Sequence, residues 1–235
     1  MSKNIIGIVA AMESEIELIK EAVKLDSKKT MAQMEFCIGS IFDKNVVVVQ
    51  CGIGKVNASI ATQLLINEFN ASYIINVGCA GNLNNLIGIG DFVVSNKVAQ
   101  HDYDASAVGF KPGEIPYTNK VFFEADEKLI SLASDSIKNV AAYRKLIVGQ
   151  VVSGDQFIEQ KSQKDLIMKN YPDADCVEME GGSVGQTCYL NNIPFVVIRA
   201  MSDNSDSSSD FAKYQEKVVK EGAKVVIDMV KNMSL

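Results

Sequence analysis

Histidine and arginine are nearly missing from this 235-residue chain: His101 is its one imidazole, and Arg144 and Arg199 are its only guanidinium groups. With a single histidine and no paired cysteines, a zinc site of His and Cys ligands is not expected, and a cysteine nucleophile has one candidate base. With 23 basic residues against 29 acidic ones, the net charge is −6 and no basic patch forms, so no nucleic-acid partner is expected. Cys37, Cys51, Cys79, Cys176 and Cys188 include no C-x-x-C pair; they are read as reduced thiols of a cytoplasmic protein. No apolar run approaches the ~18 residues of a membrane span. The N-terminal apolar stretch is cut short by Glu13, Glu15 and Glu17, too early for a signal peptide. There is no G-x-x-x-x-G-K-[ST] loop, and Gly52-Ile53-Gly54 lacks the third glycine and the following acidic residue of a dinucleotide fingerprint. Neither a cofactor nor a metal is expected.

What is present is an alternation of apolar runs with segments of helical period. Strands are expected at 5–10, 36–42, 46–51, 73–77, 91–99, 146–152, 176–180 and 195–200, and helices at 13–25, 55–69, 126–138, 163–170 and from about 211 to 233. Residues 101–118 lack periodicity and hold Pro112, Gly113 and Pro116, which makes them a long loop of the kind that often serves function. The pattern predicts an α/β fold in which 1–235 form a single three-layer domain, with a central, mostly parallel mixed sheet flanked by helices.

Ligands of such sheets bind beyond the carboxyl ends of the strands. There the sequence gathers small residues and carboxylates: Glu15, Gly52 to Gly54, Gly78 to Gly81, Glu178 to Glu180, and Ser202-Asp203. Period-two alternation places Glu178 and Glu180 on one face of a strand. Arg199 closes an otherwise apolar strand and requires a carboxylate partner. Glu15, Glu180 and Asp203 come from three strand ends that could converge on one pocket. His101 with Asp102 and Asp104 is read as a set of polar loop residues.

Seven segments in order resemble the 5′-methylthioadenosine/S-adenosylhomocysteine nucleosidase family, of the purine nucleoside phosphorylase-like superfamily. They are AAMESEIE at 10–17, CGIGKVNA at 51–58, NVGCAG at 76–81, QHDYDASAVGF at 100–110, SGDQFI at 153–158, VEMEGG at 177–182 and IPFVVIRAMSD at 193–203. The resemblance implies a nucleoside phosphorylase-like fold and hydrolysis of an N-glycosidic bond. Glu15 would activate water, Asp203 would protonate adenine at N7 with Ser202 beside it, and Glu180 would hold the ribose hydroxyls. Phe157 and Ile158 would flank the base, Met179 would line the ribose, and Gly81 would form wall. Met12, Ile53 and Phe211 would form the slot for the 5′-thio group, and Arg199 would help position the water or Glu180. Ala105, Val108 and Pro116 would reach a neighbouring subunit's pocket, which implies a homodimer. Two departures stand out: Cys79 takes a position where the family commonly has serine, and the segment between Asp203 and Phe211 is short.

An oxocarbenium-like transition state suits these residue types, since the ribose gains positive charge and adenine leaves poorly as an anion. Asp203 would have to carry a proton at a pH where a free aspartic acid has lost it. Three alternatives stay open: a phosphorolytic relative, for which arginines are scarce; a futalosine-type hydrolase; and a nucleoside-binding sensor without catalysis.

Overall fold

A computed structural model describes residues 4–205 and 208–234. The order of elements is β1 (Ile5–Ala10), α1 (Glu13–Ala22), β2 (Lys24–Met31), β3 (Met34–Ile41), β4 (Lys44–Gln50), α2 (Lys55–Phe69), β5 (Ala71–Asn82), β6 (Phe92–Gln100), β7 (Phe123–Glu124), α3 (Glu127–Val140), β8 (Leu146–Ser153), α4 (Lys161–Asn170), β9 (Ala174–Glu178), α5 (Gly181–Asn191), β10 (Phe195–Asp203) and α6 (Ser208–Asn232).

The strands form one sheet in the order β10-β6-β8-β9-β5-β1-β4-β3-β2, with β7 on β6 and a further β10–β5 pairing. That last pairing matters. Strands β5, β10, β6, β8 and β9 each pair with the next and β9 returns to β5, so this end of the sheet curls into a closed ring. Parallel pairings join β1 to β4 and β5, β10 to β5, and β8 to β6 and β9. The β2-β3-β4 meander is antiparallel.

Alternation along the strands sorts the core onto two faces. Ile6, Ile8 and Ala10 of β1 join Val196, Ile198 and Ala200 of β10 in a cluster with α1, α3 and α6. The intervening Val9, Val197 and Met201 pack with α2 and α5 on the other side. Each such fully buried aliphatic side chain contributes about 1.5–3 kcal/mol. Both faces being covered explains why these strands are near-continuous runs of Val and Ile.

The helix expected at 13–25 stops at Ala22, and Lys24–Met31 is a strand. Its first seven residues are all exposed, so it offers no apolar alternation to detect. It pairs on one side only, and its three lysines shield the free edge. Strands β5 and β10 run on past Val77 and Ala200, through Gly78–Asn82 and Met201–Asp203. Pairing with each other and with β9 holds these small residues extended despite their weak strand preference. The longer strands carry Cys79, Gly81 and Asp203 to one rim. No helix among the described residues is long and apolar enough to cross a membrane.

Candidate active site

Beyond the carboxyl ends of β1, β4, β5, β8, β9 and β10 lies a cleft enclosing about 580 Å³, open solvent at its mouth included. Glu15, Glu180 and Asp203 all line it, and each is less than 10 % exposed.

Glu15 enters from the first turn of α1. Its Oε2 accepts the Ala11 N–H at 3.0 Å and the Met12 N–H at 2.9 Å, so it satisfies the donors at the start of its own helix. Its Oε1 accepts the Cys79 N–H at 3.0 Å and the Cys79 thiol at 3.5 Å. A side chain at Gly78 would put its Cβ 2.6 Å from that oxygen, so glycine is what lets the carboxylate reach β5. Burial and the Glu15 charge push the Cys79 thiol well above its ordinary pKa. Cys79 therefore stays protonated and acts as a weak donor in place of a hydroxyl.

Glu178 and Glu180 do not share a strand face. Strand β9 ends at Glu178, and Glu180 sits at the start of α5 with φ −132° and ψ −44°. Glu178 turns back beneath that helix. Its oxygens accept the Glu180 N–H at 3.1 Å, the Gly181 N–H at 2.8 and 3.0 Å, and the Ser153 hydroxyl. A carboxylate is favoured at a helix N-terminus by the aligned backbone dipoles. Arg199 gives Nε and a terminal nitrogen to the same group, and its other bonds go to Asn76 Oδ1 at 2.6 Å and the Ile198 carbonyl at 3.1 Å. Burial opposes its charge, but Glu178, Glu180 and Glu15 outweigh that and raise its pKa above the ordinary value. Arg199 stands 3.9 Å from Glu180 Oε2 and is not among the residues that line the cleft. From that place behind the wall it can position Glu180, as the resemblance implies, but it does not touch a molecule in the cleft.

Glu180 faces the cleft with Oε1 accepting the Gly54 N–H at 2.8 Å. Burial pushes its pKa up to about 8, helped by the charges of Glu178 and Glu15; Arg199 and the Gly54 N–H act the other way. The folded chain therefore binds more protons than the unfolded one between about pH 4.5 and about pH 8. Stability falls as pH rises through that window. Glu180→Gln has no such titration. Thermal melts should show its stability relative to wild type improving from about pH 5 to about pH 9, by roughly a few kcal/mol. A difference that does not change with pH would contradict this.

Asp203 ends β10. Its Oδ1 accepts the Ser205 N–H at 2.8 Å and its Oδ2 the Ser202 hydroxyl at 2.8 Å. Ser205, with a left-handed φ of 58°, is buried, and its hydroxyl has no hydrogen-bond partner among the described residues. Sequence reasoning did not single out Ser205; its unusual backbone was not visible in the polar run 204–209. Residues 206 and 207, part of the short segment before Phe211, lie outside the described residues.

The remaining walls are apolar. Met12, Ile53 and Phe211 line the cleft, as do Phe157, Ile158 and Met179, with Cys79, Gly81 and Ser202 beside the carboxylates. The Phe157 and Phe211 rings meet edge to face, 5.3 Å apart at 76°. Phe211, in the first turns of α6, thus closes on the loop after β8. Ala105, Val108 and Pro116 do not line their own chain's cleft; Val108 is exposed. His101 is half-buried, and burial holds its pKa below the ordinary value. Among the described residues, no group of three His, Cys, Asp or Glu side chains could hold a metal ion. Carboxylates on separate walls of an apolar slot suit acid–base cleavage of a glycosidic bond.

The model of the Phosphorylase superfamily matches residues 5–231. The 5′-methylthioadenosine/S-adenosylhomocysteine nucleosidase of Staphylococcus carnosus is 39 % identical over 230 residues, covering 97 % of this chain and all of that one. The crystal structure of the corresponding nucleosidase from Neisseria meningitidis, in complex with methylthio-immucillin-A, superposes with a TM-score of 0.94 at 33 % identity, covering 98 % of this chain and 100 % of that one. Futalosine hydrolase of Helicobacter pylori superposes with a TM-score of 0.92 at 32 % identity, covering 98 % of each chain. With its sheet, its cleft and these relatives in agreement, the chain belongs to the 5′-methylthioadenosine/S-adenosylhomocysteine nucleosidase family of N-glycosidic hydrolases within the phosphorylase superfamily.

Proposed function

We propose that this protein hydrolyses the N-glycosidic bond of 5′-methylthioadenosine and S-adenosylhomocysteine, releasing adenine and the 5-thioribose product. The observation that carries the reading is the convergence of Glu15, Glu180 and Asp203 on one apolar-walled cleft, in a chain 39–40 % identical to nucleosidases of that name. Glu15 is the base that activates water. Asp203 is the acid that protonates adenine N7, with Ser202 orienting it. Glu180 holds the ribose hydroxyls and stabilises the positive charge that develops there. Phe157 and Ile158 flank the base, Met179 lines the ribose, Gly81 forms part of the wall, and Met12, Ile53 and Phe211 take the thio substituent. Cys79 and Arg199 act through Glu15 and Glu178.

Water rather than phosphate is the nucleophile in this reading, and the arginines support it. Arg144 is bound by both oxygens of Glu221 at 2.9 and 2.8 Å, and Arg199 is committed to Glu178. Neither lines the cleft to receive a dianion. The whole of 1–235 works as one nucleosidase domain, as a homodimer in which Ala105, Val108 and Pro116 complete the neighbour's pocket. Five free thiols suit the reducing cytoplasm, where the reaction would serve methionine salvage.

The discriminating experiment compares turnover of methylthioadenosine, adenosylhomocysteine, futalosine and inosine by the purified protein. The two thio-nucleosides should be cleaved with kcat/KM at least about 100-fold above the others, the scale that pocket contacts to a substituent provide. Preference for futalosine or inosine would overturn the substrate assignment.

A further inference from the structure

Gly54 ends the turn that brings Ile53 into the cleft, and its φ of 102° is one that glycine tolerates and other residues rarely adopt. The turn has little apolar anchorage: Ile53 is 53 % exposed and Val56, just after it, 68 %. Polar contacts hold it: the Gly52 N–H donates to the Ala11 carbonyl at 3.1 Å, the Asn57 amide donates to the Ile53 carbonyl at 2.8 Å, and two further strand ends fix its far side, at Lys55. Asp155, after β8, accepts the Lys55 backbone N–H on Oδ1 at 2.8 Å. Asp102, after β6, accepts the Lys55 ammonium on one oxygen at 2.6 Å and the Asp155 N–H on the other at 2.9 Å. Three loops are thereby laced together at the first residue of α2. The ion pair is shielded, with 16 % and 21 % of its side chains exposed, unlike the open lysine–carboxylate pairs elsewhere on the surface, which contribute little. Burial works against the Asp102 charge, yet Lys55 and the Asp155 N–H keep its pKa below the ordinary value. None of the three residues lines the cleft.

We propose that Lys55, Asp102 and Asp155 are positioning residues for Glu180, holding the Gly52–Gly54 turn so that the Gly54 N–H donates to the Glu180 carboxylate. The proposal deepens the reading of Glu180 given above and rests on it. Glu180 is faced by Glu178 from β9, Glu15 from α1, Arg199 from β10, Cys51 at the end of β4 and the Gly54 N–H. Burial and the two glutamates favour its neutral form, while Arg199 and the N–H favour the ionised form that a cationic ribose needs. Loosening the turn removes one of those two supports.

The sign of the effect separates positioning from simple charge. Asp155→Ala and Asp102→Ala each delete a negative charge, which by field alone would make Glu180 ionise at lower pH. Loss of the Gly54 hydrogen bond would make it ionise at higher pH. The test is 13C NMR titration of the Glu180 carboxyl in glutamate-labelled full-length protein, assigned by its disappearance in Glu180→Gln, alongside pH profiles of kcat/KM. The expected result is an upward shift of about one pH unit in both alanine variants, as one charge-assisted hydrogen bond implies. Asp155→Asn, whose amide oxygen still accepts the Lys55 N–H, should restore the wild-type position. A titration at or below the wild-type pH in the alanine variants would overturn the proposal. Should Asp155→Ala fail to fold by circular dichroism, Asp102→Ala decides alone. Wild-type turnover in Glu180→Gln would instead defeat the role given to Glu180, while the titration still reads the clamp.

Discussion

Asp203→Asn is expected to lower kcat for methylthioadenosine by about 10³-fold while changing the affinity for adenine by less than about tenfold. The asparagine is nearly the same size. It can still accept the Ser205 N–H on its oxygen, as Asp203 does at 2.8 Å. What it lacks is a proton acidic enough to give to N7 as the bond to ribose breaks. The loss should therefore fall on the chemical step. A substrate whose leaving group is stable as an anion, such as a nitrophenyl thioriboside, needs no such proton, and its cleavage should be nearly unaffected. Steady-state kinetics with both substrates tests this. Equal losses on both would remove Asp203 from the role of acid and leave it a structural one.

Glu15→Gln should be comparably damaging, with a loss of about 10²- to 10⁴-fold in kcat, and it should also destabilise the fold. Both Glu15 oxygens accept hydrogen bonds, Oε2 from two backbone N–H groups and Oε1 from the Cys79 N–H and thiol. Whichever way the amide is turned, its NH₂ faces donors, and at least one buried N–H loses its acceptor at a cost of about 1–3 kcal/mol. Thermal melting and kinetics together check the two parts. Normal stability with normal turnover would contradict the account of this residue on both counts, and normal turnover alone would contradict its role as base.

The parts of the site that were legible in sequence are those where composition carries the information locally. A carboxylate within a few residues of a buried strand's end, as with Glu15, Glu180 and Asp203, marks a rim position whatever the partner turns out to be. The Val and Ile runs around β1, β4 and β10 reveal strands because both their faces are covered. Lys24–Met31 was invisible because an exposed edge strand has no buried face to pattern it. The pairing of Arg199 with Glu178 was also beyond local pattern. Its need for a carboxylate follows from burial, but the choice between Glu178 and Glu180 depends on where β9 ends and α5 begins. The chain turns after Glu178, so the period-two argument that joined the two glutamates no longer applies. The same turn frees Glu180 to face the cleft while Glu178 caps the helix and holds the arginine.

In the proposed reaction water attacks the ribose carbon, with Glu15 as its base. Turnover of methylthioadenosine in phosphate-free buffer made with 18O-water, followed by mass spectrometry of the sugar, tests it directly. The expected result is an undiminished rate, free adenine, and one 18O atom in the methylthioribose product. A reaction that stops without phosphate, or that yields a sugar phosphate when phosphate is restored, would contradict it.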